Sequence, residues 1–130
     1  MYKLVILVGP LEDWTAFDEA WAEFLHLAES MPGLQREATS RVDTVLFGSA
    51  PFTLIHELFF NTLDDAKKAM AAPEGRAAGT LLQEISQGKV TLYLADHKED
   101  TIENLLKYKN TPKSNAEEKQ EVPEVSTTTR

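Results

Sequence analysis

The sequence predicts an α+β protein of order β-α-β-β-α-β: a four-stranded antiparallel sheet with helices on one face. Three observations predict it. Short β-rich apolar runs stand at residues 2–8, 53–60 and 89–97, with a more polar one at 34–47. Helical repeats fill the two long intervals between them. Right-handed crossovers then bring both helical segments to the same side of the sheet and leave the other side bare.

The first strand, Tyr2 to Val8, is β-branched and apolar and is closed by Gly9 and Pro10. A helix follows, capped by Asp13 or Thr15 and continuing to Met31. Trp14, Phe17, Trp21, Phe24, Leu25 and Ala28 recur on one stripe, with Glu19 and Glu23 off it. Such a stripe could stack a cofactor, but its spacing is that of a core face. Pro32 and Gly33 end the helix. Residues 34–47 carry polar groups on both faces, which suits an edge strand with a bulge. Gly48 to Pro51 turn the chain into the next strand, so these two form a hairpin.

Thr53 to Phe60 organise the rest. Leu54, His56, Leu58 and Phe60 lie on one face, and Thr53, Ile55, Glu57 and Phe59 on the other. Both faces are largely apolar, as in a central covered strand. Thr62 caps the next helix, with Asp65 three residues on and Leu63, Ala66 and Met70 at helical spacing. Pro73 opens a second helical piece carrying Ala77, Leu81, Leu82 and Ile85, weakened at Gly79 and ended at Gly88. The last strand, Lys89 to His97, alternates cleanly. Residues 1–97 therefore form one domain. Residues 98–130 read as a polar, mobile extension in which Asp100 can cap one short helix near 101–108.

Alternation puts Leu4, Ile6, Leu58, Phe60, Leu92 and Leu94 under the helices. Lys3, Val5, Leu7, Ile55, Glu57, Phe59, Tyr93 and His97 fall on the bare face, which is too apolar to leave in water. A second copy of the same sheet is the simplest cover, making a homodimer.

Composition narrows the partners. The 130 residues carry 13 Lys/Arg and 21 Asp/Glu, a net charge of −8, and 42% are hydrophobic, a balance typical of a soluble domain. Residues 1–97 hold 7 basic against 14 acidic residues, so the folded body is the acidic part. An acidic body without a basic stripe argues against nucleic acid and anionic membrane surfaces as partners. No apolar run reaches the roughly 18 residues of a membrane span, and the opening run is too short for a signal peptide. The chain has no cysteine; this excludes disulfides and thiolate chemistry and fits a cytoplasmic protein.

The opening Met1–Leu7, the aromatic helix ending in Pro32-Gly33-Leu34, the Glu57-Leu58-Phe59-Phe60 strand and the run Ala72 to Ala77 together resemble the EthD family. That family, named from an operon for ethyl tert-butyl ether degradation, belongs to the dimeric α+β barrel superfamily. The resemblance covers residues 1–97. It implies a ferredoxin-like protomer whose sheets pair face to face around small-molecule pockets. It also implies kinship with cofactor-free isomerases, cyclases, dehydratases and monooxygenases. Relatives commonly place a His eight residues before the Pro of Pro-Gly; Phe24 stands there instead. His26 is displaced by about 200° on the helix and cannot substitute.

No cofactor motif is present. Glu74 to Gly79 lacks the Lys-Ser/Thr pair of a phosphate loop, and His26, His56 and His97 lack metal-ligand spacing. His26 reads as a surface residue and His56 as a hydrogen-bonded core residue. Lys3, Glu57 and His97 should meet near one end of the bare face. Glu57, in apolar surroundings, is the candidate base, with His97 beside it; Lys3, Val5, Leu7, Ile55, Phe59 and Tyr93 would line a site for a small apolar or aromatic ring compound. A Glu57–Lys3 ion pair without turnover is the competing reading. Two functions follow: a cofactor-independent isomerase, cyclase or dehydratase, or a non-catalytic binding or accessory protein of a catabolic oxygenase system.

Overall fold

The computed structural model describes residues 1–49 and 52–103. Met1–His97 form one unit, and a second begins at Lys98. The first contains β1 (Tyr2–Val8), α1 (Thr15–Glu29), β2 (Leu34–Arg41), β3 (Leu54–Phe60), α2 (Leu63–Ala71), α3 (Pro73–Ile85) and β4 (Val90–Asp96). The strands form one antiparallel sheet in the order β2-β3-β1-β4. This is the predicted ferredoxin-like α+β arrangement, with β2 on an edge. Of the helix expected near 101–108, Ile102 and Glu103 are helical; its remainder and the tail beyond lie outside the described residues.

Local chemistry accounts for the element ends. Neither Asp13 nor Thr15 caps α1: Trp14 takes the N-cap place and makes no side-chain cap bond, while Asp13 Oδ1 accepts from the Thr15 backbone N–H at 2.9 Å and from its hydroxyl at 2.6 Å, a local turn just ahead of the helix. The helix stops at Glu29, two residues before the predicted Met31, and Gly33 takes a left-handed φ of 82° to lead into β2. Thr62 Oγ1 accepts from the Asp65 N–H at 3.0 Å, as the capping pattern predicts. Pro73 occupies the first turn of α3, where its missing N–H costs nothing. Gly75 lets α3 start directly against the end of α2: a Cβ there would overlap the backbone of Ala69 and Met70. Gly79 has no such reason. A Cβ at Gly79 would meet nothing within 4 Å, yet glycine in mid-helix costs about 1 kcal/mol relative to alanine.

The β2 strand ends at Arg41, where the sequence suggested continuation to Phe47. Past one bond from the Val42 N–H to the Thr53 carbonyl, residues 43–49 leave the ladder, and Leu46 and Phe47 are almost fully exposed. Among the described residues no strand pairs outside this edge, and three apolar residues among polar ones bury too little surface to hold the segment in the sheet.

The core lies between sheet and helices, built from Leu4, Ile6, Leu54, Leu58 and Phe60 against Phe17, Phe24, Ala28, Ala66 and Leu82. Phe17 and Phe24 are the helix's buried aromatics; Trp21 is half-buried, so it is not the equal anchor that the stripe suggested. Leu92 also departs from expectation. It lies on the helix side but is 42% exposed, because β4 is an edge strand and the helices do not reach across it. Among the described residues, no helix is long and apolar enough to cross a membrane.

Candidate functional sites on the two faces of the sheet

On the uncovered face the structure gathers the sequence-predicted residues. Val5 is directly opposite Glu57 on β3 and Tyr93 on β4, and Lys3 is opposite Phe59. Lys3 Nζ and Glu57 Oε2 form an ion pair at 2.5 Å, each side chain 20% exposed. The rings of Phe59 and His97 meet edge to face at 4.9 Å. Alternation did not anticipate Arg36, whose guanidinium stacks 3.9 Å above Phe59. Val5 and Phe59 are buried, Leu7 and Ile55 half-buried, and Tyr93 exposed. The expected convergence of Lys3 and Glu57 is thus an ion-paired apolar strip across three strands.

The helix side holds two features that sequence reasoning missed. One is a polar cluster around His56, which is fully buried as expected of a core histidine. A bulge between Leu34 and Arg36 shifts the β2 register by one residue, placing Glu37 opposite Leu58 and Thr39 opposite His56, both toward the helices. Thr39 Oγ1 lies 2.7 Å from His56 Nδ1, and Glu37 Oε2 lies 3.2 Å from Nε2. Trp21 and Phe24 enclose the imidazole edge to face at 5.2 and 5.8 Å. Burial lowers the His56 pKa to about 4, against the opposing pull of Glu57 and Glu29. Burial raises that of Glu37 to about 7, helped by its hydrogen bond to Glu29 and by the Glu29 charge. One proton arrangement satisfies every group. Thr39 donates to Nδ1, Nε2–H donates to Glu37, and the proton on Glu37 bridges to Glu29.

The sign of the pH dependence follows. The Glu37 contribution to stability is complete below about pH 4.5 and is lost as pH rises through about 7. His56 acts oppositely: its contribution is present above about 6.5 and is lost as pH falls through about 4. Glu37→Gln keeps both hydrogen bonds and removes the charge. At pH 8 this variant should gain about 1 kcal/mol after allowance for the solvent reaching the carboxylate, read as a melting temperature higher by about 4–8 °C. At pH 4.5 the two proteins should melt together. An unchanged difference between the two pH values would show that Glu37 is ionised throughout.

The second feature is a cavity of about 210 Å3 between sheet and helices. Leu4, Ile6, Leu58 and Leu92 form its sheet wall; Phe24, Met31, Met70 and Leu82 form much of the helix wall, with Gly75, Arg76, Ala78 and Gly79 on α3. Arg76 donates to the Ala71 carbonyl at 2.6 Å, which fixes its guanidinium beside the α2–α3 junction. Among the described residues the wall contains no carboxylate and no imidazole. Phe24 stands between it and His56, touching both. Among the described residues no cluster of His, Asp and Glu is arranged to hold a metal.

No family profile matches the chain. An uncharacterized 11.0 kDa protein encoded in the thcB-thcC intergenic region of Rhodococcus erythropolis is 30% identical over 104 residues, 78% of this chain and 98% of the relative. The crystal structure of an ethyl tert-butyl ether degradation family protein from Bacillus halodurans superposes with a TM-score of 0.69 at 27% identity. That match covers 75% of this chain and 99% of the other. The chain belongs to the EthD family. Two more distant structures share the fold. SnoaB of Streptomyces nogalater, a cofactor-independent oxygenase, has a TM-score of 0.60 at 15% identity, covering 78% of this chain and 96% of its own. A dimeric ferredoxin-like protein of unknown function from Jannaschia sp. has 0.57 at 19%, covering 74% and 97%. Within the EthD framework, Phe24 occupies the helix position where the resemblance expects a histidine, and the imidazole of His56 lies against that same ring.

Proposed function

We propose that this EthD-family chain is a homodimeric α+β barrel protein that binds a small apolar or aromatic compound in the cavity between sheet and helices of each protomer. The cavity itself carries this reading. Protein interiors are packed to crystal-like density, and a cleft with about 210 Å3 of free space leaves its apolar lining without the contacts that a filled core would supply. An apolar wall with one placed polar group is the usual make-up of a small-molecule site. Because that wall offers no acid or base, binding without turnover is favoured, as in an accessory protein of a catabolic oxygenase system. Pairing of the uncovered sheet faces would bury Leu7, Ile55 and Tyr93, and the Jannaschia protein of the same fold, itself dimeric, supports a homodimer. The cysteine-free chain suits a cytoplasmic location.

A second reading is favoured by the mostly buried Lys3–Glu57 pair on the uncovered face. There the dimer would enclose a pocket in which Glu57 transfers a proton, Lys3 or His97 holds an oxygen, and Phe59 and Tyr93 flank a ring. The protein would then be a cofactor-independent isomerase, cyclase or dehydratase. That SnoaB works without a cofactor on this fold makes such chemistry reasonable. Titration with a phenol and an aromatic lactone, followed by methyl NMR, separates the two. Shifts at Leu58, Met70 and Leu82 support the helix-side cavity; shifts confined to Leu7, Ile55 and Val5 support the sheet face. In the second case Glu57→Gln should lower turnover while leaving affinity unchanged. No shift in either set would overturn both.

A further inference from the structure

We propose that the helix-side cavity is shaped for a single-ring monoanion, such as an aromatic carboxylate, with Arg76 holding the anionic oxygens and Gly79 making room for the ring. This rests on the cavity reading above and specifies its ligand. Arg76 and Gly79 stand three residues apart on α3 and both line the cavity, as residues at that spacing share a helix face. Their chemistry is complementary. The guanidinium spends one N–H on the Ala71 carbonyl and has five in all, in a fork that matches a carboxylate. No acidic side chain shares the wall to neutralise it.

Gly79 is the more telling residue. Gly75, one turn earlier, is required by the backbone of α2 against it; Gly79 faces open space in which a methyl group would fit. The helix therefore forgoes stability at a position where alanine would be the better helix former, and what it retains is cavity volume. Met31 and Met70 in the same lining are flexible enough to mould to a bound ring. The size fits as well. A void of about 150 Å3 holds benzene, so about 210 Å3 has room for one substituted ring. A single charge is also the upper limit, because the net charge of −8 opposes polyanions.

Benzoate and benzyl alcohol, titrated calorimetrically into the full-length protein, test this with three variants whose melting is checked first. Benzoate should bind at least tenfold more tightly than the alcohol. Arg76→Gln should remove that preference, weakening benzoate at least tenfold and the alcohol less than twofold. Gly79→Leu should weaken both at least tenfold while melting no lower than the wild type; Gly79→Ala is the milder version should leucine prove too large to fold. Equal binding of the two compounds, unaffected by Arg76→Gln but lost in Gly79→Leu, would overturn the anion preference and leave the cavity reading standing. Binding that Gly79→Leu and Gly79→Ala both leave untouched would overturn the cavity reading itself, as would failure of both compounds to bind.

Discussion

Phe24→Ala should destabilise the protein by about 3–5 kcal/mol and return His56 toward its ordinary titration. Phe24 is 1% exposed, stacks on Trp21 with centroids 5.0 Å apart, and forms part of the cavity wall. Truncations of this kind cost the transfer energy of the lost atoms plus a term for the void left behind. Here the new void joins an existing one, so neighbouring side chains cannot close it cheaply, and the cost should fall in the upper part of the range. Against a total stability of roughly 5–15 kcal/mol this is a large fraction. The same substitution opens the aromatic cage of His56 to the cavity. Its pKa of about 4 is chiefly the product of burial, so hydration through the opening should raise it toward 6.5. Denaturant midpoints and an NMR titration of the His56 ring measure the two effects. A loss under about 1 kcal/mol, or an unmoved imidazole titration, would show that Trp21 alone holds this corner of the core.

That corner also shows how far the sequence could be read. The β3 strand is legible because both its faces are apolar over seven residues, and the capping Thr62 and the Pro73 at the start of α3 are legible because each has one local job. Family membership was likewise readable from four short runs spread over residues 1–77. The Glu37–His56 contact was not. It depends on one extra residue, Gln35, in the bulge; without it, strict alternation would turn Glu37 to the uncovered face and Arg36 to the helices. Local composition admits a bulge without fixing its position. The cavity was hidden for a different reason: a void is made by what several elements fail to fill. Its lining comes from β1 and the strands on each side of it, from α1 and from the α2–α3 pair, segments far apart in the sequence. The trace it left in the sequence was Gly79, a helix-weakening residue in the middle of an otherwise regular repeat. Residues 42–47 misled in the opposite direction, since Val42 and the run Val45 to Phe47 resemble a strand, yet all four stay exposed past the end of β2.

Leu7→Arg should convert the protein from a dimer to a folded monomer. Leu7 lies on the uncovered face of β1, directly opposite Ile55 on β3 and Thr91 on β4. It is half-buried in the protomer, so the long arginine stem can lie along the strip while its charge reaches water, and folding should be little affected. Pairing two such faces removes that escape. Because a twofold interface presents the same patch from both sides, each substitution counts twice, and two guanidinium groups would be desolvated together without carboxylate partners. Glu57 cannot serve, being engaged with Lys3. A weakening of at least a hundredfold in Kd, about 3 kcal/mol, is expected. Light scattering at micromolar concentration reads the outcome directly. The unsubstituted protein should run at twice the protomer mass of 14.5 kDa and the variant at that mass, with melting shifted by no more than a few degrees. A variant that stays dimeric would place the interface elsewhere and leave Lys3, Glu57 and His97 facing solvent. A wild type that is monomeric from the outset would remove sheet pairing altogether, and with it the second, catalytic reading, whose pocket exists only between two sheets.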